Sequence, residues 1–80
     1  MEPLRRLPSL KSYLKEVESH NPKADLKLIE KAFNISKKAH KGQKRASGES
    51  YFIHPIEVSR ILMNLKVDSA TLCAALLHDV

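Results

Sequence analysis

Apolar side chains recur along this chain at spacings of three and four residues, the pattern of helices that bury one face. Leu10, Leu14 and Val17 mark a first helix from about Ser9 to Ser19. Pro22 ends it, because the proline ring disfavours helix in the residue before it. Asn21 is the expected cap of a second helix, with Pro22 at its first position, where a missing N–H is harmless. That helix carries a broad stripe of Leu26, Leu28, Ile29, Ala32, Phe33, Ile35 and Ala39, and Gly42 is its expected stop. Pro55 opens a third helix reaching about Leu65, with Ile56, Val58, Ile61, Leu62 and Leu65 predicted to face inward. Asp68 caps a fourth, which starts near Ser69 and continues through Val80.

Between the second and third helices, the polar stretch from Gln43 to Ile53 reads as a loop, with Ser47-Gly48-Glu49-Ser50 at its centre. Its last residues, Tyr51-Phe52-Ile53, fit a short strand by propensity or an anchor tying the loop to the core. No segment makes a convincing strand, so the predicted class is all-α, a helical bundle. The fourth helix is apolar nearly all round, which suits the centre of a bundle larger than this one. Domain boundaries normally fall in exposed linkers, so the sequence is expected to be a piece of a longer chain.

Composition narrows the class without deciding the function. With 42% hydrophobic and 29% charged residues, the chain is ordinary for a globular protein. Two tyrosines and two phenylalanines are its only aromatics, which predicts a core built mainly from Leu, Ile, Val and Ala. The single cysteine, Cys73, excludes an internal disulfide framework and any zinc-knuckle spacing. The stretch Met1 to Pro8 lacks the apolar run of an export signal, and no segment is long enough to span a bilayer. The expected setting is therefore cytoplasmic, with no membrane partner. The net charge of +5 is concentrated in part between Lys37 and Arg45. That cluster suits a polyanion such as a nucleotide or nucleic acid. It equally suits a solvated helix end, where lysine and histidine oppose the negative end of the helix dipole.

His78 and Asp79 are the chemical anomaly, two metal-competent side chains at the end of an apolar helix. On spacing alone they are a common dipeptide that solvent or backbone could satisfy. His54-Pro55 changes their context, because Pro55 holds His54 at a defined helix start. If the third and fourth helices pack antiparallel, His54 meets His78 and Asp79. Two imidazoles and a carboxylate then make an incomplete site for a divalent transition metal, with room for a further ligand and water.

Three segments in order carry a resemblance. Lys38-Ala39-His40-Lys41-Gly42-Gln43-Lys44-Arg45-Ala46-Ser47-Gly48-Glu49 comes first, then Tyr51-Phe52-Ile53-His54-Pro55, then Ala74-Ala75-Leu76-Leu77-His78-Asp79-Val80. Together they resemble the hydrolase domain of Rel/SpoT proteins, the long enzymes that make and degrade the alarmone (p)ppGpp. The match is strong from Leu26 to Val80. It implies an N-terminal helical extension over residues 1–24 and the N-terminal part of an HD-superfamily phosphohydrolase domain over residues 25–80.

The resemblance further implies that His54, His78 and Asp79 bind Mn2+, with His78 and Asp79 at the catalytic centre. It implies that Arg45 holds the guanine nucleotide and that Lys44, Ser47 and Gly48 line the pocket. The implied reaction is metal-dependent removal of the 3′-pyrophosphate of (p)ppGpp, giving GDP or GTP and pyrophosphate, in a parent that also makes (p)ppGpp from GTP and ATP. A ribosomal partner would be reached through domains outside this stretch. Ser50 stands where the family usually has proline, which loosens the loop. Ala46 stands where lysine is common, which removes one phosphate contact. The family's fourth metal ligand, an aspartate far downstream, and the acidic pair that follows its His-Asp segment are absent from residues 1–80, so this stretch alone is expected to be inactive. Two other readings stay open: a small stand-alone alarmone hydrolase, and a non-enzymatic basic module that binds RNA or an acidic partner.

Overall fold

The computed structural model describes residues 7–80, and within them the chain forms four α-helices and no strand. Residues 1–6, which hold most of the stretch read as lacking an export signal and the start of the 1–24 extension, lie outside the described range. The helices are α1 (Leu10–His20), α2 (Leu26–Ala39), α3 (Ile53–Asn64) and α4 (Ser69–Leu77). α1 packs on α2 and α3, and α4 packs on the same two helices. The all-α expectation holds. No helix among the described residues is long and apolar enough to cross a membrane.

Side-chain caps set the starts of α1, α2 and α4, and the starts of α2 and α3 differ from the expected ones. α2 begins at Leu26, because Asp25 Oδ1 accepts from the Leu28 amide at 3.1 Å. Asn21 instead closes α1, donating its amide to the Val17 carbonyl, and its Oδ1 accepts from Lys23 N in a turn through Pro22. α3 starts two residues before Pro55, at Ile53. The first turn of a helix has no carbonyl for its amides, so proline is as harmless at its third position as at its first. Tyr51 and Phe52 form the turn leading into that helix, so the strand alternative fails and the anchor one stands. Asp68 caps α4 as expected, with Oδ1 2.7 Å from the Thr71 amide, a bond that also holds its carboxyl below the ordinary value.

The core is more aromatic than the composition suggests. Tyr13, Phe33 and Phe52 are all buried, with ring centroids 5.1 Å apart from Tyr13 to Phe33 and 5.1 Å from Phe33 to Phe52. Ile29, Ile56 and Leu76 complete the centre. The expected inward faces are correspondingly too wide. Leu28 and Ile35 on α2, Ile61 on α3 and Leu65 just past its end are exposed, while the small polar Ser36 and Ser59 are buried in their stead. Where helices come close, a serine fits and a branched side chain does not. α4 also has a wet side, with Ala70, Thr71 and Ala74 exposed.

One buried polar bond fastens α1 to α3. The Tyr13 hydroxyl donates to Ser59 Oγ at 2.8 Å, and Ser59 Oγ donates onward to the Ile56 carbonyl at 2.7 Å. Beside it, Arg60 Nε donates to Glu16 Oε1 at 3.0 Å. Burial pushes the Tyr13 hydroxyl from its ordinary 10.0 up to about 12, against the opposing effect of the Ser59 bond. A folded-state pKa above the unfolded one means that the fold favours the protonated form. Its contribution is complete below pH 10.0 and is lost as pH rises through about 12. Urea midpoints measured across that window are expected to fall, and Tyr13→Phe is expected to flatten the fall. An equally steep decline in the phenylalanine variant would assign the loss elsewhere.

Candidate metal centre

α3 and α4 run antiparallel, so the beginning of one lies against the end of the other. His54 is the second residue of α3, and its amide bonds back to the Tyr51 carbonyl at 3.0 Å. α4 ends at Leu77 rather than continuing through Val80, with His78 as its C-cap and the Val80 amide bonded to the Leu77 carbonyl at 3.1 Å in a turn. Although His78 itself keeps helical backbone angles, its side chain and that of Asp79 reach one another. His54, His78 and Asp79 offer ligand atoms all within 4.8 Å of one another.

Asp79 Oδ2 is the focus of this cluster. His78 Nε2 lies 3.1 Å from it and His54 Nε2 lies 3.5 Å from it. The Tyr51 hydroxyl donates to the same oxygen at 2.9 Å. The Asp79 carboxylate, by accepting that bond, raises the pKa of the Tyr51 hydroxyl, while the Arg45 charge pulls it the other way. Each of the three candidate ligands is about one-third exposed, so the cluster is open to solvent on one side.

The His78 ring is oriented by its other nitrogen. Nδ1 lies 2.6 Å from the Ala75 carbonyl, an acceptor, so Nδ1 carries the proton. In neutral imidazole, Nε2 is then a bare lone pair, and it faces a carboxylate oxygen. Two acceptors at 3.1 Å repel unless a positive charge lies with them, whether a proton on Nε2 or a metal ion between the ligands. Backbone-anchored imidazole plus carboxylate is the donor set of manganese, iron and zinc sites. The residues present therefore fit a divalent metal.

Arg45 sits half-buried in the loop between α2 and α3, close enough for its charge to act on Tyr51. The loop closes on itself. Arg45 N donates to the Glu49 carbonyl and Gly48 N to the Arg45 carbonyl, each at 2.8 Å, and Lys44 pairs with Ser50 in an isolated antiparallel bridge. Gly42 and Gly48 both take positive φ, at +82° and +90°, a conformation that side chains rarely adopt. The exposed Lys44, Ser47 and Gly48 sit at the loop's surface, and Ser47 Oγ donates to Glu49 Oε1 at 3.3 Å.

Two residues of this region do not stand out in the sequence pattern. Tyr51 fits a hydrophobic anchor by its neighbours, yet from the turn before α3 its hydroxyl reaches Asp79, one of the candidate ligands. His40 belongs by sequence to the solvated basic cluster, yet it is only 3% exposed. Lys37 and Lys38 do occupy the exposed last turn of α2, as the dipole argument expects.

The HD domain family matches residues 32–80 of this chain. The chain is 49% identical over 63 residues to a GTP pyrophosphokinase of Myxococcus xanthus, covering 79% of this chain and 8% of that protein. It is 44% identical over 64 residues to the bifunctional (p)ppGpp synthase/hydrolase SpoT of Escherichia coli, covering 80% of this chain and 9% of that one. It is 47% identical over 58 residues to the bifunctional (p)ppGpp synthase/hydrolase RelA of Mycobacterium tuberculosis, covering 72% and 8%. The chain thus spans less than a tenth of the length of these relatives, between 8% and 9%.

Proposed function

Because the chain belongs to the HD domain family and to its Rel/SpoT branch, we propose that it contributes the metal-binding half of a site that hydrolyses (p)ppGpp. The substrate loses its 3′-pyrophosphate: water adds across the bond between the 3′ oxygen and phosphorus, giving GDP or GTP and pyrophosphate. The proposed metal is Mn2+, held by His54, His78 and Asp79, and the proposed setting is the cytoplasm. Synthesis of (p)ppGpp, named for several relatives, would belong to the rest of a full-length protein.

The observation that carries this reading is the convergence of His54 Nε2 and His78 Nε2 on Asp79 Oδ2, with the His78 proton committed to the Ala75 carbonyl. A bound divalent metal supplies an acidified water and a Lewis acid for the phosphoryl oxygen. The chain's own groups do the rest. Ala75 keeps the His78 lone pair turned into the site. Tyr51 fixes the rotation of the Asp79 carboxylate. Arg45, planar and permanently charged, stacks on a base or grips phosphate through two parallel bonds. With the loop amides of Arg45 and Gly48 already bonded to carbonyls, Lys44 and Ser47 meet the substrate through side chains, and Gly48 serves by letting the loop turn.

The test is pyrophosphate release from ppGpp by the full-length protein, with and without added Mn2+. Metal-independent release, or none at all in a folded protein loaded with Mn2+, would end the proposal. For Arg45→Ala, loss of a charge-assisted contact worth about 1.5–3 kcal/mol is expected to raise KM for ppGpp about 10-fold or more. An unchanged KM would remove Arg45 from the substrate site.

A further inference from the structure

The ring of His40 lies against the ring of Tyr51, with centroids 4.9 Å apart and planes 40° from parallel. Tyr51 in turn lies 5.8 Å from the His54 ring, and His54 5.3 Å from the His78 ring. Four rings therefore run in series from the end of α2 to the candidate metal ligands. His40 is the buried end of the series and the only one of the four that is closed to solvent.

Several bonds hold His40 in place. As the residue ending α2, it donates its amide to the Ser36 carbonyl at 3.0 Å. Its own carbonyl accepts from the Gln43 amide, also at 3.0 Å, and Nδ1 lies 3.0 Å from Gln43 Oε1. The Gln43 carbonyl accepts the Tyr51 amide at 2.9 Å, so His40, Gln43 and Tyr51 form one connected unit. Gln43 Oε1 is an acceptor, which assigns the proton to Nδ1 and leaves Nε2 a bare lone pair. That Nε2 is buried with no hydrogen-bond partner. Burying such a nitrogen is costly, and a leucine or phenylalanine here would avoid the cost. Toward the site, the His40 ring lies tilted against the Tyr51 ring.

We propose that His40 is a positioning residue for Asp79 that acts through Tyr51: its ring, oriented by Gln43, forms the wall that keeps the Tyr51 hydroxyl on Asp79 Oδ2. Without that wall, the Tyr51 ring gains rotational freedom, its hydroxyl leaves the carboxylate for water, and Asp79 turns freely. The proposal rests on the reading of His54, His78 and Asp79 as metal ligands. Groups that orient ligands from outside typically change metal affinity by about 10–100-fold.

The experiment is a double-mutant cycle on Mn2+ affinity, measured by calorimetry on the full-length protein. His40→Ala, Tyr51→Phe and the combined variant are compared with the unchanged chain, and His78→Ala serves as the control for the site. Each single variant is expected to weaken Mn2+ binding about 10-fold. The combined variant is expected to be no weaker than Tyr51→Phe alone, because His40 has no route to Asp79 once the hydroxyl is gone. His40→Phe keeps a ring face against Tyr51 and removes the orphaned nitrogen. It is expected to fold at least as well as the unchanged chain and to restore affinity to within about 3-fold, a smaller change than the 10-fold effect of an outer group.

Additive losses in the cycle, or a His40→Ala variant that loses thermal stability while binding Mn2+ normally, would overturn the proposal. A well-folded His40→Phe variant that binds as weakly as the alanine one would overturn it too, and settles the matter if alanine prevents folding. If the unchanged protein binds Mn2+ and His78→Ala abolishes this, those results sink the role of His40 alone. If neither the unchanged protein nor His78→Ala binds Mn2+, the ligand assignment falls and takes this proposal with it.

Discussion

Replacing His78 by alanine is expected to reduce manganese-dependent release of pyrophosphate from ppGpp more than about 100-fold, beyond the range seen when only an outer-sphere group is lost. The expectation follows from the place of this one ring in the cluster. Its Nδ1 is anchored on the Ala75 carbonyl, its Nε2 lies 3.1 Å from Asp79 Oδ2, and its ring centroid lies 5.3 Å from that of His54. Alanine removes a proposed ligand and leaves the Asp79 carboxylate with His54 and Tyr51 beside it. The side chain is about two-fifths exposed, at 38%, and contributes nothing to the aromatic core. Thermal stability measured without metal should therefore change little, while the stabilisation gained on adding Mn2+ should disappear. Asp79→Asn keeps the shape and loses the charge, and should behave alike. Near-normal release by either variant would rule out this metal centre.

The largest expected effect on folding comes from Phe33→Ala. Phe33 is 1% exposed and its ring touches both Tyr13 and Phe52, so it joins α1, α2 and the start of α3. Removing a buried phenylalanine costs about 3–5 kcal/mol, partly for lost transfer and partly for the cavity left behind. Small domains have total stabilities of roughly 5–15 kcal/mol and tend toward the lower end. The variant is expected to lose most of its cooperative unfolding transition in urea, followed by circular dichroism. Hydrogen exchange over residues 7–80 would assign the loss to this part of a longer chain. A cost below about 1 kcal/mol would mean that the cavity collapses, or that the three rings are not the core's keystone.

The periodic apolar pattern made the four helices legible, and Asp68 and Pro55 placed two starts to within a few residues. It placed the second cap at Asn21, whereas Asp25 takes that place, where its amide also donates to Ser69 Oγ at 3.0 Å at the start of a helix distant in sequence. It could not separate Ile61 from Ser59 either. Periodicity measures which way a side chain points along one helix, whereas burial depends on how close the next helix comes. The three proposed ligands were legible because each sits beside a helix boundary within an ordered set of motifs. Tyr51 and His40 were not, for opposite reasons. Tyr51 is apolar enough to pass for packing alone, and His40 is polar enough to pass for surface alone.

Gly42 and Gly48 bracket the segment that carries Arg45, and a Cβ built at either would meet nothing within 4 Å. By space alone, these would be among the most permissive positions in the chain. Their backbone says the reverse, since an ordinary residue held at positive φ costs roughly 1–2 kcal/mol. Substitution tolerance along this loop will therefore follow backbone geometry rather than crowding. Lys44, Ala46 and Ser47 can vary as exposed residues do, while two uncrowded glycines behave as if buried. Anyone grading variants of this protein by accessibility would misjudge the two positions that flank the segment carrying Arg45.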